Sequence, residues 1–123
     1  MHLIRLQDVN QSEKKLTLAV LQITQMLGIY HAELARILHL QCADIGELSN
    51  SRQNIEAGTD AWRSGVEYIE LYEALYRRYD GNEIQIHHWL RKKSKGMPLA
   101  PLYMMVDELE ITTVLELLKG YPD

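Results

Sequence analysis

Hydrophobic residues recur at helical spacing along almost the whole chain. Such spacing places apolar side chains on one stripe of an α-helix, whereas a half-buried strand needs strict alternation. Leu16, Leu18 and Val20 do alternate, but the length of that segment and its later spacing favour a helix. No strand pair or internal repeat is evident, so the pattern predicts an all-α fold of about seven helices.

Capping residues and breakers delimit these apolar stripes. Gly28 is expected to end the first helix, and Thr113 with Glu116 is expected to form a capping box that begins the last one. The expected helices run from Ser12 to Leu27, Tyr30 to Leu38, Cys42 to about Arg52, Ala61 to about Tyr79, Asn82 to a break at Gly96, Pro101 through Leu109, and Thr113 to Gly120.

The spacing of residues in the fourth and sixth helices predicts which of their side chains are exposed to solvent. Tyr68, Tyr72 and Tyr76 follow one another at helical spacing, which is typical of half-buried packing with the hydroxyl groups outward. In the sixth helix, Leu102, Met105, Val106 and Leu109 are expected to face inward. Tyr103 and Met104 then point outward, and both residue types are enriched at protein interfaces.

Length and composition limit the class of protein. The chain has 123 residues, of which 46% are hydrophobic and 24% charged, as in a single globular domain with one genuine core. The single cysteine, Cys42, cannot form an internal disulfide, and no basic-then-apolar leader or membrane-spanning apolar run is evident. These features lead us to expect a cytoplasmic protein without membrane association.

The segment from His31 to Leu48 has the elements of a helix-turn-helix unit, whose second helix lies in the major groove of DNA. Ala35 is small enough to let two helices approach closely. The unit resembles the helix-turn-helix of Xre-class bacterial regulators, in which the string Glu33-Leu34-Ala35 is common. His39 departs from the usual glycine. The apolar contacts are expected from Leu34, Leu38, Leu40, Ile45 and Leu48.

The second helix of this unit is poorly suited to a polyanion. Asp44 and Glu47 lie near its start, and the net charge of the chain is −4. A three-helix core unit with little DNA affinity therefore remains an open alternative. The candidate DNA-binding residues are Gln41, Ser49, Asn50, Arg52 and Gln53.

The second half of the chain carries another set of motifs. These are Asp80-Gly81-Asn82-Glu83, Trp89-Leu90, Pro101-Leu102 and the run from Val114 to Leu118. Together with the first half they resemble the Xre/MbcA/ParS antitoxin family, in which a toxin-binding C-terminal domain follows an Xre-like helix-turn-helix. The resemblance implies a helix-turn-helix unit over residues 1–60, a connecting helix over 61–79 and a toxin-binding helical module over 80–123.

The same resemblance implies a function by binding. Members of the family neutralise RES-type toxins, which consume NAD, by covering the toxin's active site, and many repress their own operon. We therefore expect a cognate toxin and operator DNA as partners, and neither catalysis nor a cofactor. A wide apolar face on the fourth helix leads us to expect a homodimer along the first or fourth helix. The alternative is a stand-alone DNA-binding transcriptional regulator.

Candidate partner-binding residues lie in the second half. Arg91, Lys92, Lys93 and Lys95 form the only dense basic cluster, although a solvated helix end would also explain them. The C-terminal segment that contains Lys119 and Tyr121 could insert into a partner, although a frayed tail is the more frequent outcome. The candidate set is Trp89, Arg91, Lys92, Lys93, Tyr103, Met104, Lys119 and Tyr121.

No pattern favours a metal or catalytic site. His87 and His88 are adjacent and point about 100° apart on a helix. His39 and Cys42 lack two further ligands at suitable spacing. No carboxylate pair, activated nucleophile or glycine-rich phosphate loop stands out.

Overall fold

The computed structural model describes residues 1–94 and 96–120. Within those ranges it contains seven α-helices, a short 3-10 turn at Leu6–Asp8 and no strand, which confirms the predicted all-α class. None of the helices described there is long and apolar enough to cross a bilayer. The helices are α1 Glu13–Leu27, α2 His31–Ile37, α3 Cys42–Ser49, α4 Asp60–Tyr79, α5 Glu83–Arg91, α6 Pro101–Val106 and α7 Ile111–Gly120.

Side-chain caps begin three of the helices. The side-chain oxygens of Ser12, Thr59 and Asn82 accept hydrogen bonds from backbone N–H groups in the first turns of α1, α4 and α5, at 3.2, 3.2 and 3.0 Å. Gly28 ends α1 in the left-handed conformation, with φ of 66°. The predicted starts of these three helices, and the predicted ends of α1 and α4, are therefore correct to within one residue. The predicted end of α5 was wrong: the helix ends at Arg91, well before Gly96, because Lys92 already has an extended backbone.

Helix α4 is the centre of the molecule. It packs against α1 and α7, while α6 packs against α2, α5 and α7. Buried side chains form one continuous cluster from Ile4 to Leu118. The three segments expected from the sequence therefore share a single core within the described residues.

The tyrosines of α4 are deeper than expected. Tyr68 is 1% exposed, and its hydroxyl lies 2.8 Å from Oγ1 of Thr24. Thr24 donates its own proton to the Val20 carbonyl at 2.7 Å, so the Tyr68 hydroxyl is the donor. The Tyr72 hydroxyl donates to the carbonyl of His2. The prediction of outward hydroxyl groups was wrong for these two residues, because α1 and the N-terminal segment cover them.

The α6–α7 connection differs from the sequence-based prediction. Helix α7 begins at Ile111 rather than Thr113, so the expected capping box does not form. Leu109 is not inward: it is 45% exposed, with φ of 56°. Helix α6 ends at Val106, and the chain reverses at Leu109, which lets Ile111 enter the core. Burial of Ile111 thus takes precedence over a threonine cap.

Met104 was expected to be exposed but is only 4% exposed. Three helices, α2, α5 and α7, surround α6, so more than one of its faces is covered. The prediction assumed that only one face of the helix is buried, which does not hold for a short helix with neighbours on several sides. Tyr103 is exposed as expected, and Leu102, Met105 and Val106 are buried as expected.

Candidate functional site

The connection between α2 and α3 spans residues 38–41. The N–H of Leu40 donates to the Ala35 carbonyl at 2.8 Å, and the N–H of His39 donates to the Arg36 carbonyl at 3.2 Å. This pair of bonds defines a Schellman helix end, which places His39 in the left-handed region with φ of 60°. The backbone thus adopts the conformation that glycine favours, although the residue is histidine.

The expected apolar contacts between α2 and α3 are confirmed. Leu34, Leu38 and Ile45 are fully buried, and Ala35 is buried at 2% exposure. Leu40 is half-buried against the same core. These two short helices and their connection therefore pack as the sequence predicts.

The acidic residues of α3 have local partners. Asp44 Oδ2 accepts from the backbone N–H of Gln41 at 2.9 Å and so caps its own helix. Glu47 Oε1 lies 3.7 Å from Nη1 of Arg52. Both carboxylates are only half-exposed. One consequence is that the guanidinium of Arg52, a candidate DNA contact, already has an acidic neighbour.

The candidate DNA-binding side chains are accessible but lie in an acidic setting. Between residues 31 and 56 the chain has four carboxylates and two arginines. One of those arginines, Arg36, donates to the Val106 carbonyl at 2.7 Å. Amides and hydroxyls there can bond to base edges and to phosphate oxygens, but the electrostatic affinity for DNA comes from cations. The exposed candidates are Gln41, Ser49, Asn50, Arg52 and Gln53.

A groove of about 540 Å³ lies along α5 and the end of α4, and we call it the α5 groove. Ile84 supplies its most exposed apolar side chain, at 81% exposure, and Trp89 is half-buried. Lys92 and Lys93 lie at the C-terminal end of α5. Its lining residues are Tyr79, Ile84, Gln85, His88, Trp89, Lys92, Lys93 and Ser94.

The α5 groove has a one-sided electrostatic character. None of the described residues that line it is acidic. Lys92 and Lys93 are exposed, and neither forms an ion pair with any residue in 1–94 or 96–120. Apolar side chains beside ammonium groups that have no acidic partner among the described residues can bind an apolar group and an anion together.

Arg91, also a candidate partner contact, is used within the chain. Its Nη2 donates to the carbonyls of Leu27 and Gly28 at 2.6 and 3.1 Å. His87, one turn earlier, places Nε2 2.9 Å from the Met26 carbonyl. Both side chains therefore cap the C-terminal end of α1, where carbonyls lack helical partners and the helix dipole is negative. Sequence reasoning missed this contact because the two segments are far apart in the chain.

The other candidate partner residues are dispersed. Tyr103 is 41% exposed on α6, and Lys119 Nζ lies 3.3 Å from Oε2 of Glu70. Neither residue lines the α5 groove. Tyr121 and Lys95 lie outside the described residues. The structure therefore brings together Trp89, Lys92 and Lys93 in one groove, whose described lining does not include Arg91, Tyr103, Met104 or Lys119.

Two surfaces thus stand out as candidate binding sites, the α5 groove and the exposed end of α3. Within the described ranges, no three His, Cys, Asp or Glu side chains are close enough to hold a metal ion. No protein-family model matches this chain, and no curated protein matches its sequence.

Proposed function

We propose that this chain is an antitoxin-type protein that binds and neutralises a cognate, NAD-consuming toxin of the RES type, mainly through residues 80–123. The α5 groove is the observation that carries this proposal. It combines an exposed apolar side chain, a half-buried tryptophan and two lysines that form no ion pair with a described residue, within the segment whose motifs resemble a toxin-binding domain. In this proposal the chain acts by binding rather than by catalysis, and it needs no cofactor.

Co-expression with the protein encoded by the neighbouring gene tests the proposal. We expect the two proteins to purify as one complex, the neighbour alone to deplete cellular NAD, and co-expression to restore growth. Absence of a complex, or a neighbour that leaves NAD unchanged, would contradict it.

Surface variants localise the contact better than truncation does. A chain that ends at Leu90 would lose α6 and α7, whose residues Leu102, Met105, Ile111 and Val114 are in the core. The Lys92→Glu, Lys93→Glu double variant changes exposed residues only. Lys14→Glu with Lys15→Glu in α1 is the matched control for the lysine contact, because it reverses two adjacent exposed lysines outside the α5 groove. These lysines lie one turn from Leu18, so light scattering on the control variant establishes whether its oligomeric state is unchanged. We expect the first pair to weaken the complex and the second to leave it intact.

DNA binding is the second candidate function, as an operon repressor or as a stand-alone regulator. The left-handed backbone at His39 favours it, since it keeps the short turn between α2 and α3. The acidic setting of α3 predicts weak phosphate contacts. Binding to the DNA upstream of the gene, measured at increasing salt, tests this candidate: a steep loss of affinity supports it, and no binding at low salt rejects it.

A homodimer remains part of the proposal, with α1 as its interface. The wide apolar face of α4 is covered within the chain by α1 and α7. On α1, Leu18 is 46% exposed, and residues 16–32 contain no charged side chain. Charge depletion is typical of interface cores. We expect a dimer by light scattering and a monomer for Leu18→Glu.

A further inference from the structure

Helix α5 presents three differently used faces. Ile86 and Leu90 enter the core, and His87 and Arg91 bind the end of α1. At about 100° per residue, the remaining face carries Ile84, Gln85, His88 and Trp89, and Lys92 follows as the C-cap of the helix. All five residues line the α5 groove. Contacts on two sides hold this helix in place, so the third face is preorganised for a ligand.

We propose that the α5 groove binds an extended segment of a partner protein that carries a bulky apolar side chain and, about four residues away, a carboxylate. The identity of that partner as a toxin rests on the proposed function above. The chemistry of the segment rests on the groove alone.

The apolar part of the groove favours a bulky apolar side chain. Ile84 is 81% exposed, although isoleucine is among the residue types most often buried, and Trp89, also in the lining, is half-buried. Burial of a partner's apolar side chain against these residues stabilises the complex through the hydrophobic effect. The groove volume of about 540 Å³ is within the usual range for sites that bind discrete ligands.

The cationic end favours a carboxylate. Lys92 and Lys93 carry no ion pair with described residues, and no lining residue is acidic. The net charge of the whole chain is −4, so the local positive charge at this end of the groove is opposite in sign to the net charge of the protein. Charge complementarity therefore selects an acidic segment and repels a basic one.

Spacing along α5 sets the register of the segment. Ile84 and Lys92 are separated by eight residues, which corresponds to about 12 Å along a helix. An extended chain covers that distance with about four residues, at about 3.3 Å each. The apolar and acidic side chains of the segment should therefore be about four positions apart.

Single-stranded nucleic acid is a less suitable occupant. Bases bind to single-strand sites by stacking on open aromatic faces, but Trp89 is half-buried. A phosphate backbone also needs a longer cationic track than two adjacent lysines, and the acidic chain repels it.

Selection of short random peptides on the full-length protein tests the proposal. We expect enriched peptides to contain Leu, Ile, Phe or Trp with Asp or Glu about four positions away. For a synthetic enriched peptide, Lys92→Glu with Lys93→Glu should lower the affinity about tenfold or more, because two attractions become repulsions. Ile84→Ser should also weaken binding, whereas Lys14→Glu with Lys15→Glu should not.

Three outcomes would overturn the proposal: no enrichment, enrichment without acidic residues, or equal binding to the Ile84→Ser variant. Circular dichroism confirms that each variant is folded before it is scored. The proposal would also be overturned if an oligothymidylate displaced the peptide and if its own binding were weakened by Lys92→Glu. The groove would then be a nucleic-acid site. The peptide result is separate from co-purification with the genomic neighbour, so failure of one experiment does not imply failure of the other.

Discussion

At the scale of single residues, Thr17 joins two parts of the chain with one hydroxyl group. Its Oγ1 donates to the Glu13 carbonyl at 2.7 Å and accepts from the backbone N–H of Ile55 at 2.8 Å. Thr17 and Ile55 are both buried. This contact holds the segment between α3 and α4 against α1, and therefore positions the C-terminal end of α3.

Thr17→Val should remove this anchor. The isosteric methyl group cannot accept a hydrogen bond, so the buried N–H of Ile55 is left unpaired, at a cost of about 1–3 kcal/mol in free energy of unfolding. Urea denaturation measures the change. Thr17→Ser keeps the hydroxyl and should lose clearly less stability. Equal losses for the two variants would show that the methyl group, rather than the hydrogen bond, matters at this position.

His39→Gly should stabilise the protein. An L-residue in the left-handed region carries steric strain that glycine lacks, and part of this gain is offset by the greater unfolded-state entropy of glycine. We expect a net gain of about 0.5–1 kcal/mol, seen as a higher midpoint of thermal unfolding. His39→Ala retains the strain and serves as the control. A loss of stability in the glycine variant would mean that the imidazole itself contributes.

At the scale of helices, α5 is positioned by two side chains that bind the C-terminal end of another helix. Arg91 and His87 are four residues apart, on the same face, and both reach the final carbonyls of α1. The contact ties the C-terminal half to the first helix. It also orients the opposite face of α5, where the α5 groove lies.

Arg91→Leu should therefore destabilise the fold more than the loss of an ordinary surface charge. Charged hydrogen bonds to a helix C-terminus contribute about 1–2 kcal/mol in partly buried geometry. Arg63→Leu is the matched control, because Arg63 forms only an exposed ion pair with Asp60, which contributes about 0–1 kcal/mol. Chemical denaturation of both variants measures the difference. Equal effects would show that the bonds of Arg91 to α1 contribute little.

At the scale of the whole molecule, two buried tyrosines of α4 form hydrogen bonds that join this central helix to other parts of the chain. Tyr68 bonds to α1 and Tyr72 to the N-terminal segment, both from α4. Burial raises the pKa of Tyr72 to about 12, and burial also raises the pKa of Tyr68. The folded state thus favours the neutral phenol in both cases.

The protein should consequently lose stability in alkaline solution. Since the folded-state pKa values exceed the ordinary value of about 10, the contribution is complete below that pH and is lost as the pH rises towards 12. Denaturation at a series of pH values measures the slope. Tyr72→Phe should show a shallower decline over this window, although it is less stable at neutral pH. An identical slope for the variant would contradict the assignment to Tyr72.

The helices and most of their ends could be predicted because their causes are local. A stripe such as that of α1 recurs within a few residues, and Ser12, Gly28, Thr59 and Asn82 act on the turn beside them. Other local signals supplied Trp89, Lys92 and Lys93 as candidates: the two lysines belong to a dense basic cluster, and the pair Trp89-Leu90 resembles a motif of the antitoxin family.

The remaining features depend on segments that meet only after folding. Met104 is buried because three helices surround α6, and the Tyr68 hydroxyl is inward because Thr24 of α1 lies opposite it. Arg91 was predicted to contact a partner, but in the folded chain it donates a hydrogen bond to the Leu27 carbonyl at the end of α1. Hydrophobic periodicity predicts a helix and which of its sides is exposed. The number of helices that pack around it, and the polar atoms that they present to it, depend on contacts between segments far apart in the sequence.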